Sequence, residues 1–332
     1  MFFLMGPTAA GKSELAVEIA LRCNAEIVGA DAFQVYKGLD LLTAKPGSDL
    51  RAKVRHHLIG EISLAEKFDV AQYRTLALAR VREIAARGRR TLITGGTGLY
   101  VRALTRGLSE LPEANPNMRR ELEALPLAEL QQKYAALDPL GMERIDRQNR
   151  RRLVRAIEVS LLAGVPFSSL REDWSGSPIE ARTTPGVLLE RERDELYERI
   201  NRRVLRMFAE GVVEEVRAAG GAGPTAAQAI GYAEITALLR GTMNAKECLG
   251  AIQQKTRRYA KRQLTWLRRE NTFFKINLSS TPFSDAAEAA ARCFVAASPK
   301  CGRSPKLGFR KTATRPTAGS DSVRHTIRPI RC

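Results

Sequence analysis

The chain has 332 residues, of which 44% are hydrophobic, and it carries 54 Lys and Arg against 36 Asp and Glu, a formal net charge of +18. This length and composition predict a globular protein of two domains. Because no run of about 18 apolar residues occurs, no membrane-spanning segment is predicted. The five cysteines are scattered without a C-x-x-C pair, and the first residues lack a basic region and a cleavage site. We therefore expect a reducing cytoplasm, not a disulfide framework or a secreted protein.

The positive charge is spread over the whole chain. Residues 297–332 hold nine Lys or Arg and one Asp, so the remaining residues keep an excess of ten positive charges. A basic globular body favours a polyanionic partner such as nucleic acid, and charge that only maintains solubility is the alternative. Low hydrophobicity and high charge from about Ser298 predict a disordered basic tail over residues 298–332.

The pattern G-x-x-x-x-G-K-S near the start of the chain predicts a phosphate-binding loop. Its residues are Gly6, Pro7, Thr8, Ala9, Ala10, Gly11, Lys12 and Ser13. An apolar strand over residues 2–5 precedes this loop, and a helical pattern follows it. Glycines let the backbone close around an anion, the lysine adds a charge, and the serine hydroxyl can bind Mg²⁺. The pattern predicts a di- or triphosphate site without identifying what the phosphates are attached to, and a chance match in a glycine-rich turn is the alternative.

Two further strands are predicted to end near this loop. Residues 26–30 form the second strand, which Asp31 follows, and residues 91–94 form the third, which ends in the turn G-G-T-G-L-Y. In a parallel α/β sheet, ligands bind at the carboxyl ends of the strands. Asp31 is thus expected at the mouth of the phosphate site, as a functional carboxylate or, equally, as a helix cap or a partner of the groups around Mg²⁺. A helix over residues 69–87 joins these strands and supports a doubly wound α/β core.

The middle of the chain is predicted to be a helical insertion over residues 108–183, because helical patterns run to about residue 163 without a strand signal. The insertion contains four arginines within six residues, which favour contact with a phosphate backbone or a solvated helix face with even weight. The paired histidines at 56 and 57 have no third ligand at a sensible spacing, so a structural role is favoured over a metal site. Residues 1–107 and 184–297 are expected to form the α/β core with its C-terminal helices. In those helices, basic residues interleaved with aromatic ones over 245–270 suit a nucleic-acid groove, and core aromatics beside solvated charge are the alternative.

Seven motifs in register over about residues 3–275 resemble the tRNA dimethylallyltransferase (tRNA isopentenyltransferase) family, in its bacterial type. They are the phosphate loop, residues 31–40 (DAFQVYKGLD), 43–46 (TAKP), 95–100 (GGTGLY), 152–159 (RLVRAIEV), 228–232 (QAIGY) and 259–267 (YAKRQLTWL). The resemblance implies a P-loop NTPase-like fold. It implies transfer of a dimethylallyl group from dimethylallyl diphosphate to N6 of the adenosine just 3′ of the tRNA anticodon.

The resemblance also implies roles for individual residues. Asp31 matches the proposed base on the adenine amine, Thr8 the essential loop threonine, and Arg203 an arginine that contacts the diphosphate. The loop would hold the diphosphate, with Mg²⁺ as cofactor and Ser13 as its ligand. The segments that match tRNA contacts comprise Asp31, Ala32, Phe33, Gln34, Gly98, Arg151, Arg152, Leu153, Val154, Arg155, Gln228, Ala229, Ile230, Gly231, Tyr232 and Ala233.

Two departures from the family pattern stand in these segments. Ala233 occupies a position that is often Arg or Lys in the family, and Leu42 replaces the glycine that usually precedes T-A-K-P. They put one phosphate contact and one turn in question but remove none of the proposed catalytic groups. The expected partners are therefore tRNA, through its anticodon stem-loop, and dimethylallyl diphosphate, with no membrane and a monomeric enzyme. The rival hypotheses are a small-molecule kinase that uses ATP on the same loop, and a nucleic-acid-binding module in which the loop is only structural.

Overall fold

The core of the protein is a six-stranded parallel sheet. The computed structural model describes residues 1–109, 111–170, 185–270 and 272–297. The strands are β1 (Phe2–Met5), β2 (Ala25–Ala30), β3 (His56–His57), β4 (Arg90–Gly95), β5 (Gly186–Glu190) and β6 (Phe274–Asn277). Their order across the sheet is β3-β2-β4-β1-β5-β6, and every pair is parallel. This order confirms the α/β fold class expected from the sequence.

The register of three central strands decides where the functional segments meet. Gly95, the last residue of β4, pairs with Met5 at the end of β1 and with Ala30 at the end of β2. The segments that follow these strands, which start at Gly6, Asp31 and Gly96, therefore leave the sheet side by side at its carboxyl edge. That edge is where open α/β sheets bind ligands.

Some helices cover the two faces of the sheet, and others pack together in apolar clusters of their own. They are α1 (Lys12–Arg22), α2 (Ser48–Lys53), α3 (Val70–Ala86), α4 (Gly98–Arg106), α5 (Pro116–Ala124), α6 (Leu127–Leu137), α7 (Pro139–Arg144), α8 (Arg150–Ala163), α9 (Arg193–Ala209), α10 (Val212–Ala218), α11 (Tyr232–Leu239), α12 (Ala245–Leu267) and α13 (Phe283–Ala296). None of the helices in the described ranges combines the length and the apolar character that a membrane span requires.

Alternating strand residues feed two separate apolar layers, as expected for a sheet covered on both faces. On one face, Leu4, Ile27 and Leu92 pack with α1 and α13. On the other face, Phe3 and Ile93, among others, pack with α3 and α4. The sequence interpretation did not identify α13 as a separate helix, because its alanine-rich pattern lies after the last predicted strand and resembles no motif. It is nevertheless needed to close one face of the sheet.

The predicted helical insertion is helical in the part that the structure describes, residues 111–170, where no strand occurs. Helices α5, α6 and α8 share their own apolar cluster, which includes Leu122, Leu130 and Ile157. The described residues between 1 and 297 belong to one compact unit. The insertion as a separate domain over 108–183 therefore stays a prediction, and the predicted disordered tail over 298–332 lies outside the described residues.

Other sequence expectations shift by a few residues. The helix expected to begin at about Ala229 begins at Tyr232, because a 3-10 turn over Ala226–Gln228 precedes it. The helix expected to run to residue 270 ends at Leu267.

The histidine pair has the structural role that the sequence favoured. His57 is buried and donates a hydrogen bond from Nε2 to Glu26 Oε2 at 2.7 Å, while His56 bonds the Val54 carbonyl at 2.8 Å. Arg87 donates two hydrogen bonds to the buried Glu26 carboxylate, and these bonds, with that from His57, lower the pKa of Glu26 to about 2. These contacts tie β2, β3 and the turn before β4 together.

A buried carboxylate also organises the insertion. Glu158 on α8 accepts hydrogen bonds from Arg119 Nη2 at 2.5 Å, from Arg155 Nη1 at 2.8 Å and from the Asn115 N–H at 2.9 Å. Burial alone would raise the pKa of Glu158, but the hydrogen bonds from the two arginines outweigh it and hold the pKa below its usual value. This carboxylate therefore joins α5 to α8.

We predict that Glu158→Gln lowers the free energy of unfolding by about 2 kcal/mol, because it leaves two arginines without their anionic partner, and both are exposed enough to regain some water. Urea denaturation measures this loss. Since the pKa of Glu158 is depressed in the folded state, its contribution is present above the unfolded value of 4.5 and is lost as the pH falls below it. The stability difference from wild type should therefore shrink in acid. Glu129→Gln, at an exposed carboxylate on α6, is the control, and equal stability of the two variants would contradict the prediction.

Candidate active site

Three turns at the carboxyl edge of the sheet surround one cavity of 460 Å³. Its walls include most of the phosphate loop, Asp31, Gln34 and residues 40–41 and 43–47. Because these segments leave neighbouring strands at the same level, groups that are far apart in the chain line one site. The polar lining suits a charged ligand.

The phosphate loop presents the start of α1 to this cavity. Gly11 precedes the helix in a left-handed conformation with φ 100°, and no side chain caps the helix start. The first N–H groups of a helix have no partner within the helix and carry a partial positive charge. They therefore form a ready site for an anion, as the sequence predicted for this loop.

The Lys12 side chain binds back to the main chain of its own loop. Its Nζ donates hydrogen bonds to the carbonyls of Gly6 at 3.0 Å and Pro7 at 2.7 Å. Burial lowers the pKa of Lys12 to about 8, an effect that the Asp31 carboxylate partly opposes. The lysine is therefore a cation whose charge can be lost in a mildly basic solution.

Two arginines of α9 and one just before it bind the same loop from outside. Arg203 Nη2 donates to Thr8 Oγ1 at 2.8 Å, Arg199 Nε to the Ala9 carbonyl at 2.9 Å, and Arg191 Nε to the Ala10 carbonyl at 2.9 Å. Burial lowers the pKa of Arg203 to about 10, while Asp31 raises it. The Nε of Arg203 is buried and has no hydrogen-bond partner among the described residues, so a donor remains beside the cavity.

Gln263 on α12 connects two of the three turns. Its Oε1 accepts from the Thr8 N–H at 2.8 Å, and its Nε2 donates to the Gly96 carbonyl at 3.0 Å. A Cβ on Gly96 would lie 2.1 Å from this amide nitrogen, so only glycine admits the contact. Gln263 lies in a motif that the sequence analysis quoted, but no signal in the sequence connected it to the loop.

Asp31 holds the turn that it begins. Its Oδ1 accepts from the N–H groups of Phe33 at 3.0 Å and Gln34 at 3.3 Å. This is a capping arrangement, which was one of the two roles considered for Asp31. No hydrogen bond to Oδ2 is present within the described ranges, so the carboxylate keeps accepting capacity beside the cavity that it lines.

Other predicted tRNA-contact residues of this region support the turns. Gln34 Nε2 donates to the carbonyls of Thr43 at 3.2 Å and Ala44 at 2.9 Å, and the Ala32 N–H donates to Thr97 Oγ1 at 3.2 Å. Gly98 lies under the Trp266 ring, where a Cβ would come within 2.6 Å of ring atoms. Gln34 therefore positions the T-A-K-P segment, and Gly98 lets α12 approach the second glycine turn.

The predicted RNA-contact segment on α8 divides into two faces. Arg151 and Arg152 are exposed, whereas Leu153 and Val154 are buried in the insertion core. Arg155 donates to Glu158 and, through Nη2, to the Pro112 carbonyl at 2.9 Å. RNA contact by this segment stays a prediction, and the buried side chains of Leu153 and Val154 do not offer a surface for it, because a helix with one apolar face buries that face. Only the arginine face of this segment is open to a polyanion.

The segment from Gln228 to Ala233 also has an inner and an outer side. Ala229 is buried in an apolar cluster that also contains Leu42. The partly buried Phe33, Ile230 and Tyr232 pack against this cluster. Gln228 and Ala233 are exposed, and Ala233 offers no charge. The structure therefore brings this segment against the one that follows Asp31, as shared contact with one ligand requires.

The six-stranded parallel sheet, with a G-x-x-x-x-G-K-S loop after one central strand and a carboxylate at the same sheet edge, defines an α/β protein whose candidate site lies at the carboxyl edge of the sheet. The family model described as IPP transferase matches residues 34–270. The tRNA dimethylallyltransferase of Geobacter sulfurreducens is 44% identical over 280 residues, which cover 81% of this chain and 89% of that protein. That of Akkermansia muciniphila is 39% identical over 289 residues, covering 87% and 96%. The chain belongs to the IPP transferase family.

Solved structures agree with this assignment. The full-length tRNA isopentenylpyrophosphate transferase from Bacillus halodurans superposes with a TM-score of 0.66 at 34% identity, covering 89% of this chain and 95% of that one. A eukaryotic dimethylallyltransferase acting on tRNA superposes with a TM-score of 0.74, covering 92% and 82%. At 23% identity this second likeness supports the fold alone.

We predict that the depressed pKa of Lys12 makes anion binding pH-dependent. Below pH about 8 the lysine is charged, and above it the charge is lost, so affinity for inorganic pyrophosphate should fall by about tenfold once the pH is one unit above that pKa. Lys12→Arg keeps its charge over this range. Calorimetric titration from pH 7 to 9.5, with each protein normalised to its own affinity at pH 7, isolates the lysine. Lys246→Arg, at an exposed site on α12, should keep the wild-type profile; parallel curves for wild type and Lys12→Arg would exclude the effect.

Proposed function

We propose that this chain transfers a dimethylallyl group from dimethylallyl diphosphate to N6 of the adenosine 3′-adjacent to the anticodon of tRNA. The observation that carries the proposal is the meeting of Asp31, Lys12 and Arg203 at one cavity, where a carboxylate lies beside a cationic phosphate loop. The names of the relatives and the family model support the same reaction. The reaction requires two parts: a group that accepts the proton of the adenine amine, and a site that binds the leaving diphosphate.

The diphosphate is proposed to bind the phosphate loop. The start of α1, Lys12 and the unpartnered Nε of Arg203 supply positive charge and donors. As the bond between the allyl carbon and the diphosphate oxygen breaks, the leaving group keeps the electron pair and gains charge. Donors already in place stabilise that charge without reorganising, which is how such sites lower a barrier. Thr8 contributes by orienting Arg203, since its hydroxyl accepts from that guanidinium.

The adenine amine is proposed to attack the allyl carbon while Asp31 accepts its proton. The amine is a weak nucleophile, because its lone pair is delocalised into the ring. A carboxylate that takes the proton during attack raises its reactivity. Oδ1 is engaged by two backbone N–H groups, which fix the orientation of the side chain and leave Oδ2 for the amine.

Mg²⁺ is the proposed cofactor. Ser13 is the second residue of α1 and lines the cavity, and its hydroxyl makes no hydrogen bond to the rest of the described chain. A hydroxyl at this position of a P-loop is suited to bind the metal. When bound, Mg²⁺ would neutralise charge on the diphosphate oxygens, in addition to the charge supplied by Lys12 and Arg203.

The RNA part of the substrate is proposed to be the anticodon stem-loop. A base must leave its stack to enter a cavity, which costs a few kcal/mol and less in a single-stranded loop. The exposed Arg151 and Arg152 and the exposed basic residues of α12, such as Arg258 and Lys261, offer charge for the RNA backbone. A monomer in the cytoplasm is the proposed working form, with one chain supplying the residues for both substrates.

We predict that the protein with Mg²⁺ and dimethylallyl diphosphate prenylates one adenosine of an unmodified anticodon stem-loop RNA. Labelled dimethylallyl diphosphate and nucleoside analysis detect the product. In the control RNA, guanosine replaces the adenosine next to the anticodon, and this RNA should not become labelled. Transfer of phosphate from ATP to small metabolites, with no labelled adenosine, would instead favour the kinase hypothesis. RNA binding that is indifferent to diphosphate, without turnover, would favour a binding module.

We predict that Asp31→Asn lowers the single-turnover rate by about 10²- to 10⁴-fold, the usual contribution of a positioned general base. Asparagine keeps the acceptor for the backbone N–H groups but loses the charge and the basicity. Both substrates should still bind, which binding titrations check separately. Asp194→Asn, at an exposed carboxylate of α9, should leave the rate unchanged. A rate for Asp31→Asn within a few-fold of wild type at saturating substrates would restrict Asp31 to its capping role.

A further inference from the structure

Three arginines bind three successive residues of the phosphate loop. Arg203 contacts the side chain of Thr8, whereas Arg199 and Arg191 contact the main-chain carbonyls of Ala9 and Ala10. Only Arg203 was assigned a role by resemblance. The two carbonyl contacts fall outside the reaction described so far and concern the shape of the loop itself.

The contacted residues have an unusual backbone. Ala9 has φ 64°, in the left-handed region that residues other than glycine seldom occupy, and Gly11 has φ 100°. A left-handed conformation is strained for a residue with a side chain, so it persists only where the surroundings hold the backbone there. Backbones that alternate right- and left-handed residues form nests, in which successive N–H groups converge on an anion.

We propose that Arg199 and Arg191 are positioning residues that hold this loop in the nest conformation for the diphosphate. By donating to the Ala9 and Ala10 carbonyls, they draw the carbonyl oxygens outward, away from the anion, and leave the loop N–H groups toward it. The inference rests on the proposed use of the loop as a diphosphate site, but it makes no assumption about the RNA.

The placement of the two guanidinium groups fits this role. Both guanidinium groups lie close to Gly11. A Cβ built on this glycine would be in van der Waals contact with them, at 3.7 Å from Arg191 Nη2 and 4.0 Å from Arg199 Nη2. Arg191 is further fixed by a hydrogen bond to the Leu278 carbonyl and an ion pair with Glu195. The loop is therefore held by groups that are themselves anchored to α9 and to the segment after β6.

The first test is Arg199→Met, which keeps an apolar stem and removes the donors. The probe is inorganic pyrophosphate, titrated by calorimetry. We expect its dissociation constant to rise about tenfold, corresponding to about 1.4 kcal/mol, while the dissociation constant for anticodon stem-loop RNA stays within twofold. In turnover, the KM for dimethylallyl diphosphate should rise and kcat change little. Arg217→Met, at an exposed arginine of α10, is the control and should match wild type in every measurement.

The second test separates positioning from direct contact with phosphate. Glycine adopts left-handed φ without strain, so the loss of pyrophosphate affinity caused by Arg199→Met should be much smaller in an Ala9→Gly background than in the wild-type background. If Arg199 instead bound the phosphate directly, the loss would be the same in both backgrounds, and the proposal would be overturned. Arg199→Lys should recover part of the affinity, since an ammonium can also donate to the carbonyl.

Melting temperatures complete the test. A lower melting temperature for Arg199→Met, with unchanged affinity for pyrophosphate, would show a structural role only and overturn the proposal. If the variant is too unstable to titrate, Arg191→Met, with and without Ala9→Gly, makes the comparison through the neighbouring Ala10 carbonyl, because the left-handed residue is Ala9 in both cases. Because pyrophosphate binding is measured without RNA, a chain that binds it in an Arg199-dependent way yet prenylates no tRNA would refute the proposed function and leave this inference standing.

Discussion

The hydrogen bonds of Gln263 hold together the two glycine turns on which the site depends. One amide group accepts from the Thr8 N–H and donates to the Gly96 carbonyl, so the distance between the phosphate loop and the second turn is set by a single buried side chain. A buried amide that bonds on both sides is strongly oriented, because either unmade bond would cost free energy. The helix that carries Gln263 can approach this closely only because Gly96 and Gly98 have no side chains.

Around this connection the protein concentrates cations on one small stretch of backbone. Lys12 binds the loop from within, and Arg191, Arg199 and Arg203 bind it from α9 and the turn before it. Burial depresses the pKa values of Lys12 and Arg203, so the free site bears unfavourable charge that an anion relieves. The Asp31 carboxylate partly opposes this lowering of the two pKa values, and the same carboxylate is the proposed proton acceptor. Lys12, Arg203 and Asp31 therefore balance one another's charge and are also the groups assigned to the proposed reaction.

Particular residues show where sequence reasoning succeeded. The apolar runs before Gly6, Asp31 and Gly95 predicted parallel strands, and the fold class is confirmed because such runs fit a sheet covered on both faces. For the α8 segment, a motif match treated all five positions alike, yet helical geometry turns Leu153 and Val154 inward and leaves Arg151 and Arg152 outside. A motif identifies a segment, and only packing tells which of its side chains remain accessible.

The sequence by itself determined the phosphate loop, its strand and helix, the acidic residue after the second strand and the family to which these motifs point. Each of these is local, because it depends on residue types at short, fixed spacings. The tertiary structure alone decided that Arg191, Arg199 and Gln263 bind the loop, since these contacts join residues more than 180 positions apart. Hydrogen bonds between distant segments leave no period or spacing in a sequence, because the order of strands across the sheet, not the order along the chain, creates them.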